Sequence, residues 1–234
     1  MLLRKVVLSV LFIFGGLLAN AAIRGTASNT FNASSYAVAW PTGTVTGDVA
    51  VISIFQGCGA TLPADWINLI SPDSGSTFGT GTFYGLLMYK VLSAADISAG
   101  SVTVTLGCGY NGIAQIVTLV GSGYGVREVD FSQGVDPVSS TNPQSGDLVF
   151  YFAQSRSSAS APTCSLGTLQ QSAADGSAAN GSLYYQALTA SGQLSPIFTY
   201  SGGTGVQMIL VLVPTGGSGG SGGTISPTNG VFAN

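Results

Sequence analysis

The chain reads as an all-β protein, a jelly-roll-like β-sandwich built from two structural repeats. Three observations carry that expectation. Short runs rich in Val, Ile, Tyr, Phe and Thr are cut by Gly, Ser, Asn and Pro; helix signals are nearly absent; and three segments recur in the same order along the chain. "GDVAVISIF" from Gly47 returns as "GDLVFYFAQ" from Gly146, "LLMYKVLSA" from Leu86 as "SLYYQALTA" from Ser182, and "GIAQIVTLVG" from Gly112 as "GVQMILVLVP" from Gly205. The repeats span about 44–121 and 144–214.

Taken in order, the N-terminus has the parts of a secretory signal over residues 1–21. Arg4 and Lys5 precede the apolar run "VVLSVLFIFGGLL", and Ala19-Asn20-Ala21 follows as a small-x-small cleavage site. The run is shorter than the 18 or more residues that suggest a bilayer span. The sandwich is expected over 22–214. Its first strand is Tyr36–Trp40, followed by Asp48–Phe55, where both alternating faces are mostly apolar and the strand is therefore expected to be covered on both sides. Trp66–Ile70, Tyr84–Leu92, Val102–Leu106 and Ile113–Val120 complete the first repeat, with one helical turn at Ala94–Ile97. Glu128–Phe131, Leu148–Ala153, Ser182–Leu188, Pro196–Tyr200 and Gln207–Val213 follow. Beyond Pro214, residues 215–234 contain the flexible linker "TGGSGGSGG" and a tail too short to fold alone.

Composition narrows the function classes. Charged residues are 6% of the chain, against about 25% in ordinary soluble domains. Without the signal, four basic and nine acidic side chains remain, a net charge of −5. Arg24, Lys90, Arg127 and Arg156 form no cluster, so no nucleic-acid partner is expected. Such a surface suits a secreted, cell-surface or virion protein. The chain has no histidine, which removes imidazole-based triads and histidine-ligated zinc. Lys90 is flanked by apolar residues and is expected to hold its head in solvent. "REVDFSQG" from Arg127 has the look of a β-glucanase signature, with Glu128 and Asp130. The following positions are Ser132 and Gln133, so the second carboxyl that a retaining glycosidase needs is missing. Alternation turns Val129 and Phe131 inward and Glu128 and Asp130 outward. Asp65/Asp73 and Asp130/Asp136 do not match a calcium loop. No catalytic residue, metal or cofactor is expected.

Of three cysteines, Cys58 and Cys108 each end a strand between glycines and are the expected disulfide in an oxidising compartment; Cys108–Cys164 is the competing pair. Trp66 is expected to pack in the core. Tyr84, Tyr110 and Tyr124 lie in or beside glycine-rich loops and are the candidate ligand-binding aromatics, and "GSTFGTGTFYG", Gly75 to Gly85, is the candidate mobile binding loop.

The succession "WPTGTVTGDVAV", "PADW" and "YKVLSAAD" resembles β-sandwich proteins found beside phage tail and fibre genes, best over residues 40–121, with Asp65 where those proteins have glycine. The resemblance implies a non-enzymatic structural or adhesion sandwich, secreted or virion-exposed, with protein partners or surface glycans and a possible homo-oligomeric state. A secreted carbohydrate-binding module is the alternative.

Overall fold

The computed structural model describes residues 23–57, 60–61, 63–70, 75–78, 81–107, 111–133, 137–156, 160–174, 179–201 and 205–215. The proposed signal, the glycine-rich tail, Cys58, Cys108 and Tyr110 therefore lie outside the described residues. The first part of the chain forms β1 (Ile23–Asn32), β2 (Ser35–Ala39), β3 (Val49–Gln56), β4 (Ala60–Thr61), β5 (Ile67–Ile70), β6 (Gly75–Phe78), β7 (Gly81–Val91), helix α1 (Ala94–Ala99), β8 (Ser101–Leu106) and β9 (Asn111–Leu119). The second part forms β10 (Tyr124–Gln133), β11 (Leu148–Ser155), β12 (Thr163–Cys164), β13 (Thr168–Ala174), β14 (Asn180–Ala187), β15 (Phe198–Thr199) and β16 (Gly205–Pro214). The protein is all-β, and its strand pairs are antiparallel.

The large sheet of the first part has the order β1-β9-β3-β7-β5, with β6 folded onto β7. That of the second has the order β10-β16-β11-β14-β13. Numbered within each part, the large-sheet strands follow one plan: the first and third lie at the edges, and the last slots between the first and second. A small sheet, β2-β8-β4, covers the outer face of the first, and the β12-β15 pair covers that of the second.

This stacking explains the doubly apolar strands. Val49, Val51 and Phe55 of β3 enter a core shared with Leu148, Phe150 and Phe152 of β11. Ala50, Ile52 and Ile54 point the other way, into a second core with Tyr36, Val38, Val102, Val104 and Leu106 of the small sheet. On β11, Val149 and Tyr151 enter a third core with Val138, Leu188 and Ile209. All eight residues of β3 and all eight of β11 are buried. With no face left to water, neither strand can show the period-2 polarity of a half-wet sheet.

Both long strands start in the same way. Asp48 is 1% exposed; its Oδ1 accepts from Arg24 of β1 at 2.9 Å, and its Oδ2 accepts from the Val45 amide at 2.8 Å. Asp147 is 2% exposed; its Oδ2 accepts from Arg127 of β10 at 2.6 Å and from the Gln144 amide at 2.7 Å. The preceding glycines, Gly47 and Gly146, have φ of +87° and +91° and donate to Leu92 and Leu188 at 2.8 Å. A Cβ would strain both turns, which explains the Gly-Asp pair at each strand start.

The register gives the molecule two poles. Ile23, Leu119, Val49 and Val91 share a row at one end of the first large sheet. The start of β10 and the end of β16 lie at the same pole, where the Thr215 amide donates to the Gly123 carbonyl at 2.6 Å. Both ends of the described chain thus leave from one pole, while Gln56, Leu106, Ser155 and Gly205 end or begin strands at the other.

Candidate functional site

The segments that carry the phage-protein resemblance converge in space. The chain leaves β2 at Trp40, turns at Pro63–Asp65 into Trp66 and β5, and passes from Lys90 near the end of β7 into α1. The Trp40 and Trp66 rings lie 6.3 Å apart at 14° to each other, and the Trp40 indole N–H donates to the Asp96 carbonyl at 2.7 Å. Lys90 Nζ donates to Asp65 Oδ2 and Asp96 Oδ1, both at 2.7 Å, and sits 6.0 Å from the centre of the Trp66 ring. Asp96 also holds the start of α1, where its Oδ2 accepts from the Ser93 amide and hydroxyl and closes a capping box.

Lys90 is therefore not the solvent-facing strand lysine expected from its flanks. It is 8% exposed, held between two carboxylates. Burial works to lower its pKa, but the Asp65 and Asp96 bonds outweigh burial and raise it. That is the wrong direction for a lysine nucleophile or base, which needs an unprotonated amine near neutral pH. Asp65, where the resembled motif has glycine, has φ +70°. Glycine takes that conformation without strain; here aspartate accepts it and gains Lys90 as a partner. Trp66 is only half-buried, its ring against Trp40 and the small-sheet core, so the two tryptophans of the chain form one partly exposed pair. The second part does without this cluster: Gln186, on β14 where β7 has Lys90, accepts from the Tyr151 hydroxyl at 3.1 Å.

Glu128 and Asp130 do turn outward from the shared core, into which Val129 and Phe131 pack. Glu128 is saturated. Its Oε2 accepts from Ser140 Oγ at 2.7 Å and the Asn142 amide at 3.2 Å, and its Oε1 from the Thr141 amide at 2.9 Å and Thr141 Oγ1 at 3.3 Å. Burial would raise its pKa, yet these bonds hold it below the usual carboxylate range. Asp130 Oδ2 accepts from the Ser139 amide at 2.8 Å. Both carboxylates clip the segment before β11 to β10. Asp73 and Asp136 lie outside the described residues, and among the described residues no three His, Cys, Asp or Glu side chains group as a metal set.

Of the candidate tyrosines, Tyr110 lies outside the described residues and the other two are at opposite poles. The backbone of Tyr84 pairs with Gln56 at the pole opposite the chain ends. Tyr124 lies at the other pole, its hydroxyl donating to the Val120 carbonyl at 3.1 Å and its own carbonyl accepting from Tyr89 at 2.7 Å. The stretch Gly75–Gly85, expected as a loop, supplies β6 and the start of β7, paired from Gly75↔Tyr84 to Phe78↔Gly81. Cys164 is a half-buried free thiol whose pKa is raised by burial; among the described residues there is no disulfide, and its proposed alternative partner Cys108 lies outside them. The Trp40–Trp66–Lys90 cluster is not legible from periodicity because its members come from three separate segments. The shared membership of those segments in the resembled motif was the available signal. Comparison with protein-family models, with curated proteins and with solved structures found no match to this chain.

Proposed function

We propose that this chain is a non-enzymatic structural or adhesion module, secreted or virion-exposed, a jelly-roll-like β-sandwich built from two structural repeats packed back to back. The observation that carries the reading is its polarity. Both ends of the described chain leave from one pole, so a chain tethered there presents the opposite pole outward. The duplication is supported by the common strand plan and by the twin Gly-Asp-Arg anchors. The jelly-roll reading is supported by the way the first part shuttles between layers, β1 large, β2 small, β3 large, β4 small, and again β8 small, β9 large. The ionisable groups support a non-catalytic role: Arg24, Lys90, Arg127, Asp48, Asp65, Asp96, Glu128, Asp130 and Asp147 are all bonded within the fold.

The Cys58–Cys108 bridge belongs to the same proposal. β4 and β8 pair Thr61 with Thr105 and Ala60 with Leu106. Cys58 and Cys108 themselves lie outside the described residues, so the pairing is proposed from their place in the sequence, each between glycines just after an apolar strand.

The partners proposed are proteins or surface glycans. The half-exposed Trp40–Trp66 pair favours the carbohydrate-binding alternative, since a flat aromatic face is what a sugar ring stacks on. The deciding experiment is binding of purified chain to a glycan array and to intact cells. Protein-dependent cell binding that survives Trp66→Phe and Trp66→Ala supports the display module. Glycan binding lost in Trp66→Ala and kept in Trp66→Phe moves the assignment to the carbohydrate module.

A further inference from the structure

One row of side chains runs straight across each large sheet. In the first it is Ser28, Gln115, Ser53, Leu87 and Ile70, on β1, β9, β3, β7 and β5. In the second it is Phe131, Met208, Phe152, Leu183 and Gln171, on β10, β16, β11, β14 and β13. Ser53 and Phe152 are each the fifth residue of their eight-residue strands. The rows are therefore equivalent, and this step rests on the two-repeat reading above. The first row is polar toward β1 and apolar toward β5; the second is apolar toward β10 and polar toward β13.

The sheets stack with β1 beside β13, β3 over β11, and β5 beside β10. Polar ends therefore meet polar, and apolar ends meet apolar. Gln171, with its amide turned to satisfy both of its atoms, donates to the Ala27 carbonyl at 2.8 Å and accepts from the Ser28 amide at 2.7 Å. Gln154, one step along β11 on the same face, donates to Gln115 at 3.1 Å, both fully buried. Gly181 leaves the space: a Cβ there would lie 2.9 Å from Gln115 Oε1. At the apolar end its counterpart Gly85 makes room for Phe131, whose Cε2 would lie 2.6 Å from such a Cβ.

We infer that these rows form a key: the inner face of the first half is built to pair with the second half and to reject a like half. Pairing two first halves by the same geometry sets Ser28 and Gln115 against Leu87 and Ile70, twice per interface. Two second halves set Gln171 against Phe131. The native pairing gives partners to Gln115 Oε1, Gln154 Nε2 and both polar atoms of the Gln171 amide, leaving only Gln115 Nε2 and Gln154 Oε1 without one; each of those bonds lost without replacement lowers the pairing constant about 5- to 150-fold. The surface thus fits one partner, the complementary half.

The key is tested by cutting the folded full chain at a protease site introduced at Ser122, carrying it through denaturant, and weighing the products by native mass spectrometry. Complexes of one first and one second half are expected. Complexes of like halves, or halves that refold unpaired, overturn the key. The second measurement keeps the chain intact. Gln115→Met and Gln154→Met should each lower the folded-to-unfolded ratio about 5- to 150-fold, and the double variant should lose less than the product of the two. Should either single variant fail to fold, recovery of folded protein by the double variant gives the same result. Losses that multiply without coupling overturn the key. An experimental structure whose halves do not superpose strand for strand removes the duplication reading instead and leaves the Gln115–Gln154 coupling unaffected.

Discussion

Val51 and Ile52 are neighbours on β3, both fully buried, yet they face different cores. Val51 lies in the core shared with the second half, and Ile52 in the core beneath the small sheet. Ile52→Ala removes three buried carbons, about 2.4 kcal/mol of transfer free energy at ~0.8 per methylene. The unfilled cavity brings the loss to about 3 kcal/mol, within the ~2–5 measured for such truncations. Val51→Ala removes two carbons and should cost about 2–3 kcal/mol. In a chain of 150–250 residues each kcal/mol lowers Tm by about 2–4 °C, so Ile52→Ala should melt about 6–12 °C early and Val51→Ala about 4–12 °C early. Scanning calorimetry is the assay, because it also resolves whether the halves unfold together. If they unfold in two transitions, Ile52→Ala should move the first half's alone and Val51→Ala should move both. A sheet with one wet face would leave one of these substitutions nearly silent. A shift below about 2 °C for either would refute the double burial of β3.

Three other outcomes are expected. Asp48, Asp96 and Glu128 are buried enough to raise their pKa values, but their bonds win and hold them low. Their stabilisation is complete above the unfolded carboxylate values near 4 and is lost as pH falls through the lowered native ones, so urea midpoints should be flat near neutrality and fall below about pH 4. Lys90 works at the opposite end, its contribution being lost only as pH rises through its raised value. Glu128→Gln should lower stability by about 1–3 kcal/mol, because Gln offers an amide N–H₂ to donors that now meet a carboxylate oxygen. Purified chain should not hydrolyse β-glucans with either residue, and turnover abolished by the substitution would overturn the non-enzyme reading. A non-reduced digest of protein from its native compartment should yield a Cys58–Cys108 peptide, with Cys164 alkylated only slowly under native conditions; three free thiols would count against secretion.

What the sequence reveals of this fold depends on burial. Interior strands such as β3, β9, β11 and β16 are largely apolar runs that open at or just after a glycine and are legible as such. The edge strands β1 and β13 are not, nor are the short β4 and β12. β1 reads "IRGTASNTFN" and β13 reads "TLQQSAA", nearly all small or polar, because each is a sheet edge with only part of its surface covered. β6 is hidden among glycines and is fixed only by its pairing with β7. Lys90 is illegible for a related reason. Apolar flanks predict a snorkelling lysine, but its carboxylate partners are 25 residues before it and 6 after, a separation that periodicity cannot register. Glu128 and Asp130 were legible in direction, through alternation, while the loop that saturates them was not.

The last strand made in each half is also the one inserted between its first two, β9 between β1 and β3, β16 between β10 and β11. Neither large sheet can close while its final ten or so residues are still missing. As the chain is synthesised from its N-terminus, the first sheet closes once Leu119 has emerged and then waits for the whole second half. At about 5–20 residues per second, the roughly 95 residues up to Pro214 take on the order of 5–20 s. Throughout that interval Val49, Val51, Phe55 and Leu87 have no facing sheet. The moment of greatest exposure to aggregation is thus written into strand order. Loss of the C-terminal residues from Gly205 onward would be far more damaging than trimming an edge, because it prolongs that interval without end.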